Sequence, residues 1–306
     1  MLRTFTYLIP ENETGKTIEE FLLKHHYSKK MITKLTQTPN GICLKEKPVY
    51  KTKTLQSGDV LHIQICDEAP SQNIIPQPIP LSIVYEDNDI IIIDKQAGMP
   101  IHASIGHHTN TLSNGLAYYL YNEKDPYVCR IINRLDRDTS GLVIAAKHLL
   151  ASGILSEMVA KRSISRTYLA LAKGLVPEKG VISAPIARTT DSIIERCVNE
   201  ITGKPAVTHY QRIAFDGTLS LLMLKLETGR THQIRVHMKH IGHPLPGDFI
   251  YCPDYSRINR QALHAYCLEF THPLSNSHLC LTAPIPDDFK QAFHGDFPPI
   301  PAFKTE

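Results

Sequence analysis

The stretch IINRLDRDTSGLVIAAK, residues 131–147, sets a dense polar knot between two apolar runs. The run GLVIAAK has the length and composition of a buried strand. The knot before it holds Asn133, Arg134, Asp136, Arg137, Asp138, Thr139 and Ser140. Two readings are open from the local pattern. In one, Asp138 closes an Asx-turn and the arginines only solvate a loop. In the other, Arg134 and Arg137 favour the ionised form of Asp136, which is then suited to act as a nucleophile or a base. The spacing Asp136-x-Asp138 also matches the start of an aspartate-nucleophile phosphatase motif. Asn133 and Arg134 interrupt the apolar run that such a motif follows, and the chain shows no metal-binding acidic cluster downstream.

Working outward, LSIVYEDNDIIIIDK (81–95) reads as a strand, a turn at Glu86–Asp89 and a buried strand. TYLALAKG (167–174) and LSLLMLKLETGR (219–230) read as further strands. THQIRVHMKHIG (231–242) reads as a helix, capped by Thr231, with Ile234, Met238 and Ile241 on one face and Gly242 ending it. Strands and helices are interspersed without a regular βαβ rhythm. That predicts an α+β fold with a mainly antiparallel, mixed sheet.

Upstream lies a smaller unit. Thr17 and Glu20 form a capping-box pattern, and Ser28 can start a second helix with Met31, Ile32 and Leu35 inward. VLHIQI (60–65) alternates like a strand. APSQNIIPQPIP (69–80) carries prolines at 70, 76, 78 and 80 and predicts an extended, stiff linker. The expected organisation is therefore a small α/β domain at 1–68, a linker at 69–80 and a large domain at 81–306.

With 306 residues, 42% hydrophobic and 21% charged, the chain can bury a sizeable core. It has no apolar run of membrane-spanning length and no signal-peptide pattern at its start. Seven scattered cysteines without a C-x-x-C argue against a disulfide framework or a structural zinc site, and for the reducing cytoplasm. The net charge of +3 says little, but its distribution says more. Nine lysines and three glutamates fall between Lys16 and Lys53. A basic stripe of this kind can follow a phosphate backbone, or simply keep the protein dissolved.

Two more polar constellations stand out. In LETGRTHQIRVHMKHIGHP (226–244), Arg230 ends a strand just ahead of a helix, where a guanidinium can pair with a carboxylate or phosphate. His232, His237, His240 and His243 do not reproduce the spacing of H-E-x-x-H, so RNA contacts or packing are expected there rather than a metal. In SRTYLALAKG (165–174), Tyr168 is by itself a plausible sheet-face tyrosine.

Taken together, NRLDRDTSGLVIAAK, RTYLALAKG, GKPAVTHYQRI, LETGRTHQIRVH, HPLPGDFIY and LHAYCLEFTHP, in this order, closely resemble the RluA-type family of RNA pseudouridine synthases. IVYEDNDIIIIDKQAGMPIH (83–102) looks like the family's first motif, and the resemblance covers about residues 81–290. The basic N-terminal unit resembles an S4-like RNA-binding domain.

The resemblance implies isomerisation of uridine in RNA to pseudouridine without a cofactor or metal. On it, Asp136 is the catalytic aspartate, attacking C1′ or removing the 2′ proton. Arg230 looks like the arginine that pairs with it, and Tyr168 like the tyrosine that stacks on the uracil. Arg134 resembles the residue that holds the flipped nucleotide. Lys95, His232, Arg235 and the face of Lys29, Lys30 and Lys34 become candidate substrate contacts. The S4-like unit tilts the expected partner toward ribosomal over transfer RNA, and a monomer off the membrane is expected. Many members carry His where this chain has Asn133, a residue that cannot titrate near neutral pH. Two competing readings are a non-catalytic RNA-binding or ribosome-assembly protein and a hydrolase. The Asp136, Tyr168 and Arg230 set speaks against the first. The second would need a metal or a further catalytic carboxylate.

Overall fold

The computed structural model describes residues 2–66, 74–103, 109–120, 128–190 and 192–303. Its first unit is a four-stranded antiparallel sheet with two helices. The strands are β1 (Arg3–Leu8), β2 (Ile42–Leu44), β3 (Lys47–Pro48) and β4 (Val60–Ile65), in the order β1-β4-β2-β3. Helices α1 (Ile18–Lys24) and α2 (Lys29–Gln37) lie between β1 and β2 in sequence. The expected capping box forms: the Thr17 side chain accepts from the Glu20 amide, and the Glu20 carboxylate accepts from the Thr17 amide. Ser28 caps α2 by accepting from the Met31 amide. Such caps are worth about 1 kcal/mol each. Met31, Ile32 and Leu35 face inward, which leaves Lys29, Lys30 and Lys34 on the exposed side.

The core of this unit is not closed on itself. It takes in Leu150 and Ile154 from α4 (Leu149–Ala160), and Arg3 donates to Asp89 at 2.9 Å. The described part of the proline segment, 74–80, has no regular secondary structure and is tied down: the Gln77 amide donates to the Asn114 carbonyl, and Asn114 Nδ2 donates to the Ile75 carbonyl. Residues 69–73 of the expected linker lie outside the described residues.

A ten-stranded mixed sheet forms the rest. Its strands are β5 (Ser82–Glu86), β6 (Ile90–Lys95), β7 (Arg130–Ile131), β8 (Ser140–Ala146), β9 (Ser165–Lys173), β10 (Lys179–Ser183), β13 (Val207–Phe215), β14 (Leu219–Leu226), β15 (Leu263–Thr271) and β16 (His278–Thr282). A separate hairpin is made by β11 (Ile186–Arg188) and β12 (Arg196–Val198). The main order is β10-β13-β14-β9-β15-β8-β6-β5, with β16 added to β15 and β7 to β8. Every pairing in this sheet is antiparallel except β8 with β15. The α+β expectation is met.

The central strands read as continuous apolar runs because both faces are covered. Along β6, Ile91 and Ile93 enter one core while Ile90 and Ile92 enter another. The same alternation splits Val143 and Ala145 from Leu142, Ile144 and Ala146 in β8. Helices α3 (Leu112–Tyr119) and α5 (Gln233–His240) cover the first face through Leu112, Leu116, Ile234 and Met238. On the opposite side, α4 packs Ala151 and Leu155, and α6 (Asp287–Ala292) packs Phe289 and Ala292. Among the described residues, no helix is long and apolar enough to cross a membrane.

Candidate active site

β15 brings distant parts of the chain together. Ala265 pairs with Tyr168 of β9 on one side and with Gly141 of β8 on the other. The parallel pairing demands close approach: a β-carbon on Gly141, whose φ is +109°, would lie 2.2 Å from the Ala265 carbonyl oxygen. Gly141 is therefore required for strand contact rather than for flexibility. The polar knot is the turn immediately before this junction.

Within the knot, alternation does the sorting. Leu135 is buried in the core, so Arg134 and Asp136 on either side face outward. The Thr139 amide donates to the Asp136 carbonyl, which closes the turn, and Gln261 Nε2 donates to the Thr139 hydroxyl. Asn133 is buried. Its Nδ2 donates to the Leu142 carbonyl and its Oδ1 accepts from the Ile144 amide, which staples the turn to β8. This is a structural use of the residue at the position where the family resemblance led to an expectation of His. Asp138 pairs with the neighbouring Arg137.

Asp136 is half-buried and receives Arg235 Nη1 at 2.8 Å on Oδ2. The expected pairing with Arg230 is not what the fold provides. Arg230 is exposed, and its Nε donates to the Pro205 carbonyl at 3.0 Å. The reason is where α5 starts. Thr231 does not cap it; the cap position is His232, in a left-handed conformation with φ of 59°, and the helix begins at Gln233. This swings Arg235 inward. Two other expectations fail for a different reason, burial. Arg235 is 2% exposed and cannot serve as a phosphate contact.

Lys95 is 1% exposed and donates to the carbonyls of Gln96, Met99 and Arg137 instead of to a backbone phosphate. Burial pulls its pKa down to about 7, against the opposing charges of Asp138 and Asp136. Three acceptors use all three protons of the ammonium, whereas a neutral amine could fill only two. Lys95 thus ties β6 to the turn that carries Asp136.

Asp248, in the segment HPLPGDFIY, is not among the expected site residues. It is fully buried and holds Arg235 with both oxygens, Nε at 2.6 Å and Nη2 at 2.7 Å. The amides of Ile250 and Tyr251 also donate to it. The Pro-Gly-Asp signal for a tight turn was the available clue. Gly247 has φ of +72°, and a β-carbon there would clash with the Arg260 carbonyl at 2.1 Å. Burial alone would lower the pKa of Arg235. The bonds to Asp248 and the charge of Asp136 outweigh it, and the net shift is upward. The aromatic rings of Tyr251 and Phe249 lie 5.0 and 5.8 Å from its guanidinium carbon. An always-charged arginine, clamped on one side by Asp248, presents its remaining arm to Asp136.

Asp136 and Arg235 line one cleft together with Arg134, Tyr168, Arg230 and His232. Tyr168 is almost wholly buried, and burial raises its phenol pKa. His232 is also present, its Nε2 4.0 Å from Asp136 Oδ2. The cleft shares Arg134, Asp136, His232 and Arg235 with a wider groove flanked by Arg188, Arg196, Ile193 and Ile194. Of the other histidines, His237 bonds to Thr208 and the Ala184 carbonyl, and His243 to the Lys173 carbonyl. The exposed lysines of α2 belong to the N-terminal unit and not to this cleft.

One cleft thus holds an aspartate, an arginine fixed against it and a buried tyrosine, and comparison with known proteins identifies the family of the chain. Residues 89–240 match the RNA pseudouridylate synthase family. Over 281 residues the chain is 35% identical to the RNA pseudouridine synthase YjbO of Bacillus subtilis strain 168, covering 92% of this chain and 99% of that protein. The chain belongs to the RNA pseudouridylate synthase family. It is an isomerase, an RNA pseudouridine synthase. The ribosomal large subunit pseudouridine synthase D of Escherichia coli K12 is 38% identical over 305 residues, 92% of this synthase and 91% of that one. The solved structure of human RNA pseudouridylate synthase domain containing 1 superposes with a TM-score of 0.56 at 29% identity, over 69% of this chain and 85% of that one.

Proposed function

We propose that this synthase modifies uridine in large-subunit ribosomal RNA and that Asp136 carries the chemistry. The observation that supports this most is the Arg235 clamp on Asp136 inside the cleft that also holds Tyr168. The target base is extruded to reach the cleft, at a cost of a few kcal/mol, and its stacking on Tyr168 offsets part of that. Asp136 acts as a carboxylate, either attacking C1′ or removing the 2′ proton. The N1–C1′ bond breaks, the uracil turns, C5 bonds to C1′, and the C5 proton is replaced by the one gained at N1. No atom or electron is gained overall.

Arg134, exposed at the cleft mouth, is suited to hold the flipped nucleotide. Arg230, with its guanidinium at the surface, is suited to a phosphate. Lys29, Lys30 and Lys34 give the N-terminal unit a basic face that can follow the RNA backbone, as an S4-like module would. Relatives named as ribosomal large subunit synthases support the choice of RNA.

Tritium release from RNA containing [5-³H]uridine tests the reading. Wild type is expected to release tritium from large-subunit ribosomal RNA, and Asp136→Asn to release none above background. Release by wild type from transfer RNA alone would overturn the substrate, and release by Asp136→Asn would overturn the role of the aspartate.

A further inference from the structure

His232 stands beside Asp136 at a distance that neither bonds nor excludes it. Its Nε2 lies 4.0 Å from Asp136 Oδ2, beyond hydrogen-bond reach. An oxygen about 2.8 Å from both would complete the pair, with an angle of about 90° at that oxygen. The protein fixes which proton His232 carries. The Arg196 amide donates to the Tyr251 phenol oxygen at 2.9 Å, and that oxygen lies 2.9 Å from His232 Nδ1. Tyr251 is buried. If Nδ1 carried the proton, the phenol oxygen would accept twice and its own hydrogen would have no acceptor among the described residues. The satisfied arrangement has the phenol donating to Nδ1, which leaves the proton on Nε2, aimed at the gap. Burial lowers the His232 pKa, which favours the neutral ring. The residue holds this pose with φ of 59°, a left-handed conformation that a bulky side chain disfavours and that clusters at functional sites.

The gap therefore has a donor on one side, Nε2–H, and an acceptor on the other, the Asp136 carboxylate. A phosphate oxygen would be repelled by Asp136. A uracil carbonyl can only accept, and the uracil N3–H can only donate. A hydroxyl does both at once. If Asp136 works at C1′ as proposed above, on which this inference rests, the hydroxyl next to the reacting carbon is the ribose 2′-OH. We propose that His232 reads the 2′-hydroxyl of the target nucleotide, donating from Nε2 to an oxygen that in turn donates to Asp136. His232 is then a specificity residue that separates RNA from DNA at the reacting sugar, and Tyr251 is the positioning residue that sets its tautomer.

The test uses two ribosomal hairpins on which wild type releases tritium, identical except that the target uridine is ribo in one and 2′-deoxy in the other. Dissociation constants are measured by fluorescence anisotropy for wild type, His232→Phe and Tyr251→Phe. Wild type is expected to favour the ribo form by about 10-fold or more. His232→Phe should bring the ratio down to about 2-fold, with Tyr251→Phe between the two. Because both RNAs meet the same preparation, the ratio is insensitive to any fraction that fails to fold. Equal weakening on both RNAs, with the wild-type ratio kept in His232→Phe, would reduce His232 to a packing residue and overturn the inference. A wild type that does not discriminate would also overturn it. Absence of tritium release on every RNA sinks the proposed function and this inference with it, whereas release with an unchanged ratio sinks this one alone.

Discussion

Asp248 grips Arg235 with both carboxylate oxygens, and this leaves a single arm of the guanidinium for Asp136. The pair is buried, so neither partner can be relieved by water if the other is removed. Asp248→Asn should therefore cost on the order of 3 kcal/mol of stability. It should also lower kcat by at least about 100-fold, because Arg235 is then free to turn away from Asp136. Arg235→Lys should do the same, since an ammonium cannot satisfy two carboxylates as a fork. Arg230→Ala should chiefly raise KM. Thermal melts and tritium-release kinetics on the three variants check the ordering, and a larger kcat loss for Arg230→Ala would contradict it.

Lys95 and the lysines of α2 should separate cleanly in salt titrations. Lys95→Met removes three buried hydrogen bonds and should destabilise the fold by on the order of 3 kcal/mol. It should leave the slope of log affinity against log salt unchanged, because Lys95 touches no phosphate. The triple change of Lys29, Lys30 and Lys34 to Ala should leave the melting temperature close to that of wild type and flatten the slope by up to about two units.

Gly141→Ala places a methyl group where the Ala265 carbonyl already is. The β8–β15 pairing would have to open, and with it the junction that holds Asp136 near Tyr168. The expected outcome is a protein that loses several kcal/mol of stability, or that is recovered only as aggregate. Gly153→Ala, where a β-carbon would meet nothing within 4 Å, serves as the control and should be neutral or slightly stabilising.

Asn133→His should be tolerated above neutral pH. A neutral imidazole has one donor and one acceptor, the same count that Asn133 spends on the Leu142 carbonyl and the Ile144 amide. Protonation would remove the acceptor. Relative to wild type, the variant should lose activity and melting temperature as pH falls through about 6.5.

Wild type itself should weaken on mild acidification. Burial holds the His264 pKa at about 4, below the ordinary value of 6.5. Between these two values the unfolded chain binds a proton that the native state does not, so stability rises with pH across that window and is lost as pH falls. His264 should account for on the order of 3 kcal/mol of this. His232, His237 and His102, also lowered by burial, act in the same direction. Urea melts from pH 7.5 to 4.5 should show the loss, and His264→Gln should reduce its steepness.

Much was legible along the chain. Period-two and continuous apolar runs located β6, β8, β9 and β14, because burial on one or both faces leaves its mark at each strand position. Thr17, Glu20 and Ser28 marked their helix starts, because a cap is a contact three residues long. The knot at 133–140 is recognisable as a candidate site only through its company with Tyr168 and the TGRTHQIR segment.

Tertiary structure decided the roles. Arg230 and Arg235 are equally cationic in sequence, and only the left-handed turn at His232 sends the second inward. Lys95 looked like a surface charge until three carbonyls surrounded it. Asp248 became necessary only once a buried guanidinium needed a partner. A sequence pattern reports which face of an element is buried, through hydrophobic burial that acts position by position. A buried charge is stable only if distant segments supply its counter-charge and acceptors, and that is settled by the packing of the whole chain.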